Sequence, residues 1–167
     1  MDGISNRDFT ACFTGHRKMT QEVSAKVASK LDVMIDRLAS KGITNFLSGG
    51  ALGFDTLAAE RVIEAKSRDP RIKLTLVLPC RDQTKMWTRL VDINKYRFLK
   101  DLADGVVYVQ DFYDAECMMK RNACMVDSSS VVIAYFGGRS GGTLNTVNYA
   151  KRRGVTVINL FTDQPQP

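Results

Sequence analysis

A chain of 167 residues, 44% hydrophobic and 25% charged, is long enough for one domain with its own core, and this composition excludes a disordered polypeptide. Its 24 Lys and Arg against 18 Asp and Glu leave a net charge of +6, which favours anionic partners, although the longest basic run is only Lys151, Arg152, Arg153. Four cysteines without a CxxC pair, a single histidine, an N-terminus without a signal pattern and no apolar run near ~18 to 20 residues predict a cytoplasmic protein with reduced thiols, no metal site, no cofactor and no membrane partner.

The chain opens on a strand, FTACF, at 9–13. Residues 20–42 read as a helix: Thr20 is placed to cap it, Val23, Val27, Leu31, Met34 and Leu38 recur at steps of three and four, and Gly42 closes it. A strand at 43–50 breaks into a glycine turn, and a helix at 54–68 and a strand at 73–79 follow. The same alternation continues with a helix at 91–103, a strand at 105–110, a helix at 114–127, a strand at 130–136, a helix at 143–153 and a strand at 155–160.

Strands alternating with helices imply βαβ units with right-handed crossovers. The expected class is therefore α/β: a Rossmann-like three-layer fold with a mostly parallel sheet of about six strands. Runs such as Leu76, Val77, Leu78 and Val131, Val132, Ile133 are apolar on both faces, as strands covered by helices on both sides must be. We expect a single domain over 1–167 with its core at about 8–160, and a frayed tail at 162–167 where Pro165 and Pro167 oppose regular structure.

In an open parallel sheet the ligand crevice lies beyond the carboxyl ends of the strands. The distinctive motifs gather there: TGHR at 14–17, SGGALGFD at 48–55, PC at 79–80 and GGRSGGT at 137–143. Glycines at a strand-to-helix turn let backbone N–H groups approach a phosphate in front of a helix N-terminus. Gly49, Gly50 and Gly141 to Thr143 are the expected anion-binding residues. Neither loop matches GxxxxGK[ST] or GxGxxG, which argues against a P-loop NTPase and an ordinary dinucleotide dehydrogenase.

Taken together, TGHR, SGGALGFD and the stretch from CMMKRNACMVD through GGRSGGTLNTVNYAKRRG resemble the SLOG superfamily, named for the Smf/DprA and LOG proteins, and within it the YpsA-like branch of small bacterial proteins. The resemblance runs from about residue 8 to residue 160. It implies a Rossmann-like domain that binds a nucleotide-derived small molecule, such as a monophosphate or an ADP-ribose derivative, often as a homodimer or larger homo-oligomer. The LOG branch consists of phosphoribohydrolases, which use an Arg and, at the end of PGGxGTxxE, a Glu. Arg121 falls at the Arg position and SGGT at the phosphate-binding portion, but the Glu position is Thr146, so LOG-like hydrolysis would need a relocated carboxylate.

The candidate catalytic residues are accordingly Asp55, Arg121 and His16. Asp55 is either a ligand-facing carboxylate or a favourable charge in the first turn of its helix, and Asp127 reads as a turn residue. His16 is either a general acid–base or an orderer of its loop, and Arg17 suits bidentate phosphate contact. Trp87 is expected either to stack on a base or to pack on the sheet, and Cys80 is expected to be an inert buried thiol. The full expected binding set comprises Thr14, Gly15, His16 and Arg17; Ser48, Gly49, Gly50, Ala51 and Asp55; Pro79 and Trp87; Arg121 and Asn122; and Ser140, Gly141, Gly142 and Thr143. A sensor or sequestering module is the leading expectation, a nucleotide hydrolase the alternative, and DprA-like binding of DNA a less favoured third.

Overall fold

The computed structural model describes residues 6–161 and 164–166. A short 3-10 turn, Arg7–Phe9, leads into β1 (Thr10–Gly15), followed by α1 (Gln21–Ser40), β2 (Asn45–Ser48), α2 (Phe54–Arg68) and β3 (Lys73–Leu78). Then come α3 (Leu90–Leu102), β4 (Gly105–Tyr108), α4 (Cys117–Asp127), β5 (Val131–Tyr135), α5 (Gly142–Arg152), β6 (Thr156–Asn159) and β7 (Gln164–Gln166).

The strands form one sheet in the order β4-β3-β2-β1-β5-β6-β7. All pairings from β4 to β6 are parallel, whereas β7 runs antiparallel to β6 with Pro165 opposite Ile158. This is the expected α/β Rossmann-like arrangement with one correction. The tail is not wholly frayed, since residues 164–166 add an edge strand, where a proline is tolerated because no further strand needs its N–H. Residues 162, 163 and 167 lie outside the described set.

Successive strand residues face opposite helical layers. Ala11 and Phe13 of β1, Phe46 of β2 and Leu74, Leu76 and Leu78 of β3 pack with residues of α1, α2 and α3. Cys12, Leu47, Val77, Val132 and Ala134 point the other way, against Met125 and Val126 of α4 and Val147 and Ala150 of α5. Thr20 caps α1, its hydroxyl accepting the Val23 N–H at 3.2 Å. The fourth helix starts at Cys117 rather than 114, because the Asp114 carboxylate takes the Glu116 N–H at 2.9 Å in a local turn that competes with the helix.

The strand order fixes the place of any crevice. From β1 the chain proceeds outward to β2, β3 and β4, then returns to pair β5 on the other side of β1. The connections leaving β1 and β5 therefore diverge to opposite faces, opening a gap at their carboxyl ends. Beneath it, Phe13 stacks on Phe46 at 5.9 Å and meets the edge of Phe54 at 6.3 Å, a rigid aromatic floor. Among the described residues no helix is long and apolar enough to cross a membrane.

Candidate functional site

A cavity of about 290 Å³ occupies the gap. The end of β1 contributes Phe13, Thr14, Gly15, His16 and Arg17; the β2–α2 turn contributes Ala51 and Asp55. From the opposite layer come Met118, Arg121 and Asn122 of α4, and Arg139 to Thr143 from the β5–α5 connection.

Each wall is held by identifiable bonds. The β1 loop is pinned on both flanks: the His16 carbonyl accepts the Phe54 N–H at 3.1 Å, and the His16 ring accepts the Gly137 N–H through Nε2 at 3.0 Å. That nitrogen is thus already occupied, which makes the imidazole a latch between the β1 and β5 loops and leaves it no free lone pair at Nε2 for a general base. Gly53 makes the close approach feasible. Its φ is +80°, and a Cβ there would collide with the Arg17 carbonyl.

Arg121 is buried, although a charged residue on an amphipathic helix ordinarily faces solvent. The buried residues of α4 are Cys117, Arg121, Met125 and Val126, while Met119 is exposed. The guanidinium crosses the sheet edge and donates through Nη1 to the Gly49 carbonyl, while its Nε donates to Asn122 Oδ1 at 2.7 Å. Gly49 is required for this contact, because a Cβ there would fall on the guanidinium itself.

Asp55 is 6% exposed and stands in the first turn of α2 without a side-chain cap bond at that helix start. Burial pushes its carboxyl above the ordinary range, while Arg121, the Ala51 and Gly49 backbone N–H groups and Arg17 pull it back down. The reciprocal effect lowers Arg121: burial acts against its charge and Asp55 supports it. Both are buried ionisable groups on the cavity wall, and each favours the charged form of the other against burial. The cavity also carries two exposed cations, Arg17 and Arg139, and the turn into α5, with Gly141 at the N-cap and Gly142 as the first helical residue.

Several expected residues stand behind the site rather than on it. The Ser48 hydroxyl donates to the Asp55 carbonyl at 2.9 Å and receives the Gly50 N–H at 3.4 Å, setting the turn that presents Asp55. Gly50 is buried with φ +66°, and Pro79 is buried at the end of β3. Trp87 does not line the cavity: its ring meets the edge of Tyr96 at 5.4 Å and packs on the core. Asp127 is spent on the surface, accepting from the Tyr149 hydroxyl and from Arg153. Cys80 is a buried thiol pushed up to about 12 by burial, so it carries negligible thiolate at neutral pH. Thr146 is buried and donates to the Gly142 carbonyl at 2.9 Å, a bond within α5 that leaves its hydroxyl committed to the helix.

Phe13, Met118 and Arg139 line the cavity outside the expected set, and Gln83 supports it from behind. Arg139 was passed over inside its glycine loop, although its charge beside GGRSGGT was a readable signal. Gln83, from the β3–α3 connection, is 5% exposed and donates Nε2 to the same Gly49 carbonyl at 3.2 Å. Among the described residues its Oε1 and the Tyr96 hydroxyl have no hydrogen-bond partner. Among the described residues no group of three or more His, Cys, Asp or Glu is placed to hold a metal ion.

Comparison with known proteins places this geometry. The chain is 30% identical over 147 residues to the uncharacterized SPbeta prophage-derived protein YoqJ of Bacillus subtilis strain 168, covering 80% of this chain and 85% of that one. Its fold is similar to that of DNA processing protein A from Helicobacter pylori, a structure described for its single-stranded DNA binding mode, with a TM-score of 0.63 and 20% identity over 89% of this chain and 63% of the other. DNA processing protein A from Streptococcus pneumoniae gives a TM-score of 0.65 at 14% identity, covering 91% of this chain and 49% of that one. At these identities the structural likeness establishes the fold alone. The family model described as YspA SLOG family matches residues 11–154, spanning the β1 loop, the glycine turns and Arg121, and the chain belongs to that family.

Proposed function

We propose that the chain binds a nucleotide or nucleotide-derived ligand at the carboxyl edge of its sheet, as a sensor or sequestering module. The observation that carries the reading is the charge layout of the cavity: Arg17, Arg121 and Arg139 with the glycine-rich entry to α5 on its walls, and Asp55 as its carboxylate. Arginines and unhindered N–H groups at a helix start suit a phosphate, and a carboxylate suits the hydroxyls of a sugar. The volume of about 290 Å³ falls at the low end of the ~300 to 1,000 Å³ range of ligand pockets, the scale of a sugar phosphate rather than a dinucleotide.

Hydrolysis is a second reading, favoured by one observation. Burial raises the carboxyl of Asp55 within the cavity, as a general acid requires. Incubating the purified protein with a panel of nucleotides and ADP-ribose derivatives, then identifying retained and converted species by mass spectrometry, separates the two. An intact nucleotide recovered from the protein supports sequestration, and release of free base that is abolished in Asp55→Asn supports hydrolysis. A protein that neither retains nor converts any member of the panel defeats both.

A further inference from the structure

The cavity does not end at α5. A groove of about 810 Å³ runs between α4 and α5, and it shares Met118, Asn122 and Gly142 with the cavity, so the two are neighbours on either side of the first turn of α5. Their chemistry differs sharply. The cavity holds three arginines and Asp55. No Asp or Glu lines the groove, whose walls are formed by the exposed thioether of Met119, the Tyr149 ring and the carboxamides of Asn145 and Asn148.

We propose that this groove seats the nucleobase of the ligand whose phosphate-bearing part occupies the cavity, so that the protein takes a whole ribonucleotide rather than a bare sugar phosphate. The inference rests on the cavity being a nucleotide site. A base is flat, weakly polar on its faces and rich in donors and acceptors on its edges. It needs a soft or aromatic surface to lie on and amides to read its edge. Carboxamides can present a donor and an acceptor together, and neither Asn145 nor Asn148 is committed to a hydrogen bond within the described residues. Tyr149 is pre-positioned: its hydroxyl lies 2.9 and 3.1 Å from the two oxygens of Asp127, which also holds Arg153 at 2.9 Å, so the ring cannot swing freely. Lys120 and Arg152 also line the groove; Lys120 is paired with Glu116 at 3.3 Å and Asp114 at 3.7 Å, so the positive potential comes chiefly from Arg152, whose guanidinium lies 5.8 Å from the Tyr149 ring centroid.

The test compares ribose 5-phosphate with the four common ribonucleoside 5′-monophosphates by calorimetry, using the full chain and the double variant Asn145→Leu/Asn148→Leu. Both positions are exposed on α5, so the fold is not put at risk. At least one monophosphate is expected to bind the wild type about tenfold or more tighter than ribose 5-phosphate, the scale of one amide–base contact. The double variant should close that gap while binding ribose 5-phosphate as before. An unchanged preference in the double variant overturns the proposal, and a change in sedimentation without a change in preference assigns the groove instead to self-association. Equal binding of sugar phosphate and nucleotide by the wild type removes the base site but leaves the cavity reading standing. Failure to bind any of the five compounds overturns this proposal, and the cavity reading falls with it only if the wider panel of nucleotides and ADP-ribose derivatives is also neither retained nor converted.

Discussion

At the scale of single residues, the site turns on one carbonyl. Gly49 O accepts from Arg121 and from Gln83, joining α4 and the β3–α3 connection at the turn that presents Asp55. Gly49→Ala is expected to expel the guanidinium and to destabilise the fold by about 1–3 kcal/mol, the usual cost of overpacking. Chemical denaturation measures that cost, and the same variant should lose retention of any nucleotide the wild type holds. Gln83→Leu should behave differently. It forfeits one hydrogen bond of about 1 kcal/mol, yet it also removes a buried unpaired oxygen whose desolvation costs a comparable amount. Its unfolding free energy should therefore stay within about 1 kcal/mol of wild type, while ligand affinity falls because the Gly49 carbonyl that anchors Arg121 is held by one bond fewer. The glycine turns and Arg17 were legible in the sequence because their chemistry is local. Gln83 was not, since a glutamine in a polar connection has no spacing signal, and its partner is 34 positions away. Arg121 was legible only through the family resemblance, because helical periodicity alone assigns a charged residue to solvent unless a distant acceptor claims it.

Among the elements, the helices and strands of the α/β alternation were readable to within a few residues, with β7 the exception. Its residues, Gln164–Gln166, include a proline and offer no apolar run, so only pairing with β6 makes them a strand. The role of the β3–α3 connection was half legible. Trp87 was expected either to stack on a base or to pack on the sheet, and it packs, meeting the edge of Tyr96, while Gln83 of the same connection reaches the Gly49 carbonyl. The helices also differ in anchorage. α1 buries Val27, Leu31, Met34, Ile35, Leu38 and Ala39, whereas α3 buries only Tyr96 and Leu99 and leaves Leu90, Val91 and Phe98 exposed beside the edge strand β4. Local opening follows buried contacts, so amides in the middle of α3 should exchange with deuterium well before those in the middle of α1. Equal protection of the two would show that α3 is covered by another surface in solution.

The whole molecule carries a pH dependence in its core. Cys12 and Cys80 are pushed from the ordinary thiol value of 9.0 up to about 12, chiefly by burial. Between those values the folded state keeps protons that the unfolded chain releases, so stability is intact below pH 9 and declines as pH rises toward 12. Denaturation midpoints across this range should fall, and Cys12→Ala should flatten part of the decline. The parallel sheet itself could be read from the chain, but strand order could not, because the return from β4 to β5 beside β1 depends on tertiary packing. That return is what brings Arg121 back over Gly49, 72 positions apart. Position 49 can gain a Cβ only if the Arg121 guanidinium moves away, so the two positions are sterically coupled. Across related genomes they should vary together, and a chain with a larger residue at the first should mark a lineage that has abandoned this cavity.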